Sequence, residues 1–236
     1  MRKILFVTAL VLFCGLFAIA QNEKETIQGS GKQVTRDVPV TSFESLKASG
    51  VYELKLSQGN KESVKIEADE NLQQYFEVKN EGNQLVINME RLKNKQLKNA
   101  GKMRVYVTFK NLKTLDLNTV GNVASEESLS FDNLDLNTRG VGNVDLNLNV
   151  AKLDLENKGV GNVKLSGKAT EAVVKNTGVG SFQAGSFVVQ TMNIENSGVG
   201  SAEVNAEKNL KVKDNFLGKV KNRGNASVRK MNRVRV

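Results

Sequence analysis

Three aspartates recur at one spacing and could hold a cation. Asp116, Asp135 and Asp154 follow one another at intervals of 19 residues, and each lies between two leucines. If the segments that carry them stack in register, the three carboxylates face outward, one above the next. Their mutual repulsion would then call for a compensating positive charge. Ca²⁺ takes about six to eight oxygen ligands, so the column predicts a calcium site.

Two interpretations of this column remain open. In one, calcium and a lysine base, Lys152 or Lys175, cleave an acidic polysaccharide, which would make the protein a lyase or hydrolase. In the other, which we favour, the alternation of leucine and aspartate marks the solvated face of a strand whose leucines point inward. We therefore expect a protein that is not an enzyme and has no cofactor, with Ca²⁺ as the exception to test.

Basic residues concentrate at the C-terminal end. Residues 208–236 contain ten Lys and Arg and one acidic residue, whereas residues 21–207 contain 22 basic and 24 acidic residues. This end predicts a binding surface for an anionic glycan, lipopolysaccharide or the cell envelope, although a charged cap that prevents end-to-end stacking would look the same. The candidate binding residues are Lys211, Lys213, Lys219, Lys221, Arg223, Arg229, Lys230, Arg233 and Arg235.

Several other kinds of site are excluded by composition. The chain has no histidine, and its one cysteine, Cys14, lies in the first twenty residues. A nucleophilic triad or a zinc site would need those residue types. Nucleic acid is not an expected partner, because the basic end offers only Phe216 for base stacking.

A glycine-valine-glycine turn recurs through the second half of the chain. The second glycines, including a degenerate last one, are separated by 21, 19, 19, 20 and 18 residues, and short alternating segments flank each turn. The turn glycines are Gly121, Gly140, Gly142, Gly159, Gly161, Gly178, Gly180, Gly198, Gly200 and Gly218. A period of about 19 residues is too short for a propeller blade and fits one coil of a β-solenoid.

The repeat therefore predicts an all-β, single-stranded parallel β-helix with coils of about 19 residues. The second glycine would turn each corner, and the valine between the glycines would fill the corner from inside. Asn157, Asn176 and Asn196 would hydrogen-bond along the stack. The side chains expected to face inward are Leu134, Leu136, Leu153, Leu155, Val173, Met192 and Ile194.

The rest of the chain divides around this repeat. Residues 1–20 have the basic, apolar and small-residue order of a signal peptide, which predicts export and leaves no transmembrane segment after cleavage. Residues 21–32 are expected to be a flexible N-terminus. Residues 33–110 read as irregular β coils or a cap, residues 111–222 as regular coils, and residues 223–236 as the basic end.

The segment "SGVYELKLSQG", followed by "VKIEADENL", resembles the head GIN domain family, which carries an autotransporter-adhesin label. The similarity covers about residues 34–222, with Gly50, Val51 and Tyr52 at the position that names the family. The family is typical of Bacteroidetes, and the resemblance implies a right-handed parallel β-helix. It also implies a location in the periplasm, on the outer-membrane surface or outside the cell. It implies no catalytic residues. We therefore expect an exported cell-envelope adhesin or surface-interaction module, and a structural envelope protein with no ligand is a further alternative.

Overall fold

The computed structural model describes residues 25–215 and 217–231, and these form stacked β coils. The coils make a β-solenoid of about six turns, which confirms the predicted parallel β-helix. Apart from strands, this part of the chain contains two short 3₁₀ turns, Glu70–Tyr75 and Glu90–Leu92. The predicted signal peptide lies outside the described residues, as do Arg233 and Arg235.

The strands are numbered in chain order. The first nine are β1 (Thr26–Gln28), β2 (Gln33–Val38), β3 (Ser45–Val51), β4 (Glu53–Gln58), β5 (Ser63–Asp69), β6 (Glu77–Glu81), β7 (Gln84–Asn88), β8 (Gln96–Lys98) and β9 (Arg104–Phe109). The next nine are β10 (Thr114–Val120), β11 (Val123–Ser125), β12 (Leu129–Thr138), β13 (Val144–Asn157), β14 (Val163–Asn176), β15 (Phe182–Asn196), β16 (Ala202–Asp214), β17 (Val220–Asn222) and β18 (Val228–Lys230).

Strands β12 to β16 form the regular part of the solenoid. Each pairs in parallel with the next, and Leu134 lies opposite Leu153, one coil of 19 residues further along. Alternation buries one side of these strands and is interrupted at a second corner, where two exposed residues follow one another at 132–133, 151–152 and 170–171. One of the expected inward residues is wrong: Val173 lies in register with Asp154 and is 39% exposed, while Ala172 and Val174 face the core.

The corner glycines are required by both backbone angle and space. The second glycine of each regular turn has φ between +131° and +145°, a region that side chains disfavour. At Gly161 a β-carbon would also lie 2.1 Å from the carbonyl oxygen of Gly142 in the adjacent coil. Gly218 differs: it has no positive φ, and its β-carbon position lies near the first glycine of the preceding turn, Gly198.

The valine of each turn points outward, contrary to the expectation that it fills the corner. Val141, Val160 and Val179 are each 50% exposed. The reason is that inward and outward positions keep alternating into the turn. Asn157 and Gly159 face the interior, so the next outward position falls on Val160.

Val160→Thr is expected to change the free energy of unfolding by less than about 0.5 kcal/mol, because the side chain is half exposed. Val163→Thr is the matched control: that side chain is 3% exposed, and a hydroxyl there should cost about 1–2 kcal/mol. Urea unfolding measures both changes. Similar losses for the two variants would contradict the outward orientation of the corner valines.

Residues 33–110, for which the sequence allowed either coils or a cap, contain both. Strands β3 and β4 form a coil of the solenoid, pairing in parallel with β10 and β11. Strands β7 and β9 add another coil on the outer side of that pair. Strands β2, β5 and β6 pair antiparallel and close this end of the sheet.

At both ends of the described chain, strands extend beyond the segments in which the sequence predicted coils. Strand β1, within the segment expected to be flexible, pairs with β8 in a separate two-stranded sheet. Strand β18, beyond the expected last coil, pairs with β16. The basic end is therefore part of the solenoid as far as Lys230.

A polar ladder runs through the core and confirms the predicted stacking of asparagines. Asn157 Nδ2 donates to Asn176 Oδ1 over 2.6 Å, and Asn176 Nδ2 donates to Asn196 Oδ1 over 2.6 Å. Thr138 Oγ1 donates to Asn157 at one end, and Asn196 donates to the carbonyl oxygen of Gly218 at the other. All four ladder side chains are buried, so their hydrogen bonds replace those that water would make.

Candidate functional site

The predicted aspartate column is only partly formed. Asp135 and Asp154 are register neighbours on β12 and β13. Asp116 is out of register, because β10 pairs with β12 so that Thr114 lies opposite Asp135 and Asp116 lies opposite Asn137. This pairing has an offset of 21 residues, which equals the interval between the second glycines of the first two turns. The sequence therefore contained the signal that separates Asp116 from the column.

The carboxylate of Asp116 has its own partner. Arg139 Nη1 donates to Asp116 Oδ1 over 3.3 Å. Among the described residues, no three His, Cys, Asp or Glu side chains come together as a group that could hold a metal ion. Of the two candidate bases, Lys175 forms an ion pair with Glu156, and Lys152 lies beside the Asp135–Asp154 pair.

The basic residues lie on the terminal coils, along two segments of the solenoid wall: Lys221 is in register with Glu203, and Arg229 with Lys211. Lys211 and Lys213 lie on β16, while Lys221 and Arg229 lie on β17 and β18, which both stack on β16. All seven predicted residues in the described part of the chain are exposed. Lys211 and Arg229 are register neighbours, so two like charges stand one above the other.

Three of these cations are held in ion pairs. Lys213 Nζ lies 2.6 Å from Glu195, Arg223 Nε lies 2.7 Å from Glu203, and Lys230 Nζ lies 2.6 Å from Asp214. The hydrogen bond from Lys230 is the main reason that the pKa of Asp214 is lowered. The cations that make no ion pair with any described residue are Lys211, Lys219, Lys221 and Arg229.

A polar groove lies at a second corner of the coils and was not predicted as a site. It has a volume of about 1110 Å³ and is lined by the successive corners around Asn111, Asp132, Ala151 and Thr170. Asp135, Asp154 and Lys152 line the same groove. Sequence spacing aligned these residues along the stack but carried no information on the concave shape of the surface.

A narrow apolar stripe runs along the glycine corner. Each of its valines bridges to the valine of the next coil. Polar residues lie next to this stripe in the sequence. Asn143 Oδ1 and Asn162 Oδ1 each accept a hydrogen bond from a backbone N–H group of the next coil. The stripe consists of Val51, Val120, Val141, Val160, Val179 and Val199, which are 40–51% exposed.

The fold and these surfaces define a β-solenoid that offers polar, charged and apolar faces along its length. The family model "Putative auto-transporter adhesin, head GIN domain" matches residues 42–226, so the chain belongs to the head GIN domain family and the resemblance is confirmed. None of the helices in residues 25–215 and 217–231 is long and apolar enough to cross a membrane.

Solved structures agree with this assignment. A putative adhesin from Bacteroides fragilis is 30% identical with a TM-score of 0.74, covering 87% of this chain and 100% of that one. A putative adhesin from Parabacteroides merdae shares the fold at 22% identity and a TM-score of 0.58, covering 88% of this chain and 100% of that one. A comparison with curated proteins finds no match. The chain is an adhesin-like protein, and its family indicates a surface or exported protein.

Proposed function

We propose that this protein is an exported, non-catalytic envelope adhesin that attaches through its basic end to an anionic glycan or to lipopolysaccharide. The observation that carries the proposal is the set of four exposed cations that make no ion pair within the described residues: Lys211, Lys219, Lys221 and Arg229. Charges held in ion pairs are already partly neutralised, whereas these four can attract an anionic surface.

The solenoid fixes the spacing of two of these cations. Parallel pairing holds Lys211 and Arg229 in register on adjacent coils, about 4.8 Å apart. The rest of the mature sequence is almost neutral, with 22 basic and 24 acidic residues in 21–207, so it would not compete for the same ligand. The signal-like first twenty residues support export to the periplasm, the outer-membrane surface or the extracellular space.

A neutralised variant tests this proposal. Lys211, Lys219, Lys221 and Arg229 are changed together to glutamine, and both proteins are passed over immobilised acidic polysaccharide and lipopolysaccharide. We expect salt-sensitive retention of the wild type and binding about 1,000-fold weaker for the variant, since each of the four cations contributes about 1 kcal/mol near an anionic surface.

The control carries the same charge change at the other end of the chain. Lys61, Lys65, Lys98 and Lys102 are exposed, so changing them to glutamine alters net charge without touching the basic end. Equal weakening by the two variants would mean that only net charge matters, and the proposed site would be wrong. The eluate is also assayed for new sugar ends, whose release would overturn the non-catalytic part of the proposal.

A further inference from the structure

The polar groove has the dimensions of a site for an extended ligand. Its corners at Asn111, Asp132, Ala151 and Thr170 belong to four successive coils. Stacked strands lie about 4.8 Å apart, so the groove extends for about 14 Å along the solenoid axis. Its volume of about 1110 Å³ is slightly larger than that of most small-molecule clefts, which commonly have about 300–1,000 Å³.

The groove presents hydrogen-bonding groups that the described part of the chain does not use. Seven of its polar side chains are exposed and make no hydrogen bond or ion pair among residues 25–215 and 217–231, whereas Gln58 bonds to Lys110 and Ser130 at one end of the groove. The seven residues are Asn111, Asn133, Asn149, Asp132, Asp135, Asp154 and Lys152.

This lack of pairing is not general on the solenoid. Outside the groove, Lys164 Nζ lies 2.9 Å from Asp145 in the adjacent coil, and Lys175 Nζ lies 3.3 Å from Glu156. Lys152 has Glu171 as its register neighbour one coil along but forms no ion pair with it within the described chain. These groove residues therefore keep their donors and acceptors available, in contrast to the Lys164–Asp145 and Lys175–Glu156 pairs.

The chemistry of the lining selects an uncharged ligand. Three carboxylates face one lysine, while the Lys113–Glu44 pair at one end, 2.8 Å long, is neutral. The excess negative charge disfavours uronates, sulfates and phosphates. Carboxylates accept, and amides both donate and accept, the hydrogen bonds that sugar hydroxyls form. Phe131 and Val150 lie at the base of the groove but are 8% and 3% exposed, so recognition there rests on the polar side chains.

We propose that this groove binds a neutral, hydroxyl-rich oligosaccharide lying along the solenoid axis, with Asp135, Asp154 and Lys152 as its main hydrogen-bonding residues. The site goes beyond the basic end, because its carboxylates disfavour anions and it lies three coils away from Lys211 along the same face, where Asp154, Val173, Asn193 and Lys211 follow one another in register. A chain that held both kinds of glycan would bind a neutral polymer along its side and an anionic surface at its end.

The test uses immobilised dextran, mannan, xylan and β-glucan, with the purified wild type and the variant D135A/D154A/K152A. We expect the wild type to bind at least one of these polysaccharides equally at low and high salt, since the ligand has no charge. The variant should bind it at least about tenfold more weakly, because each lost hydrogen bond to a charged group contributes measurably. Circular dichroism checks that the exposed substitutions leave the fold intact.

Two control variants keep the inference separate from the proposed function. D145A/K164A removes an exposed ion pair outside the groove, and K211Q/K219Q/K221Q/R229Q removes the basic end. Both should bind the neutral polysaccharide as the wild type does. Failure of the wild type to bind any of the four, unchanged binding by the groove variant, or loss of binding in either control would each overturn the groove site. None of these results depends on whether the basic end binds anionic polymers.

Discussion

Gly161→Ala is expected to destabilise the solenoid by about 3 kcal/mol or more, enough to unfold a marginally stable domain. The alanine β-carbon would lie 2.1 Å from the carbonyl oxygen of Gly142, and the backbone has φ +135°. Neither problem can be relieved locally, because the glycines of adjacent coils stack directly and each holds the next in register. Guanidinium unfolding, followed by circular dichroism, measures the loss.

Gly82→Ala separates the two causes. Gly82 has φ +60°, but a β-carbon there meets no atom within 4 Å. This substitution therefore imposes backbone strain without a collision, and we expect a cost of about 1 kcal/mol. If Gly161→Ala lowers the free energy of unfolding by no more than Gly82→Ala does, the close stacking of the corners is not the reason that position 161 requires glycine.

Asn176→Leu is expected to cost about 3 kcal/mol, although leucine is close in size and more apolar. Asn176 is 3% exposed and links two other buried amides. Its removal leaves Asn157 Nδ2 without an acceptor and Asn196 Oδ1 without a donor, and each buried unsatisfied group costs about 1–3 kcal/mol. Denaturant unfolding with an unchanged slope would identify this as a loss of stability rather than a change of fold.

The control for the ladder is an exposed asparagine. Asn162 Oδ1 accepts one hydrogen bond, from the backbone N–H of Ser181, at the surface. Asn162→Ala should cost no more than about 1 kcal/mol, because water can replace the lost partner. Equal losses at the two positions would show that burial of the ladder does not determine its contribution.

The regular coils were predictable because their signals are local and repeated. The glycine corners and the buried asparagines recur at nearly constant spacing, so one coil predicts the next. The orientation of Val160 was missed because the corner was treated as a break in the alternation, whereas Gly159 keeps its inward place. The position of Asp116 was missed because a uniform 19-residue period was assumed through a coil that is offset by 21.

The N-terminal arrangement could not be read from such local signals. Strands β7 and β9 follow β4 in the chain but lie outside the coil that β3 and β4 form. That order depends on pairing between distant segments, which no short pattern encodes. The same holds for the ion pairs at the basic end and for the groove, since both depend on which side chains neighbouring coils bring together.

The salt dependence of binding to immobilised lipopolysaccharide shows whether the basic end holds the binding site. Affinity is measured at increasing ionic strength for the wild type, the basic-end variant K211Q/K219Q/K221Q/R229Q and the control K61Q/K65Q/K98Q/K102Q. We expect the wild type and the control to lose affinity steeply with salt, and the basic-end variant to bind weakly at every salt concentration. A basic-end variant that matches the wild type in affinity and in salt dependence would contradict the proposed binding site.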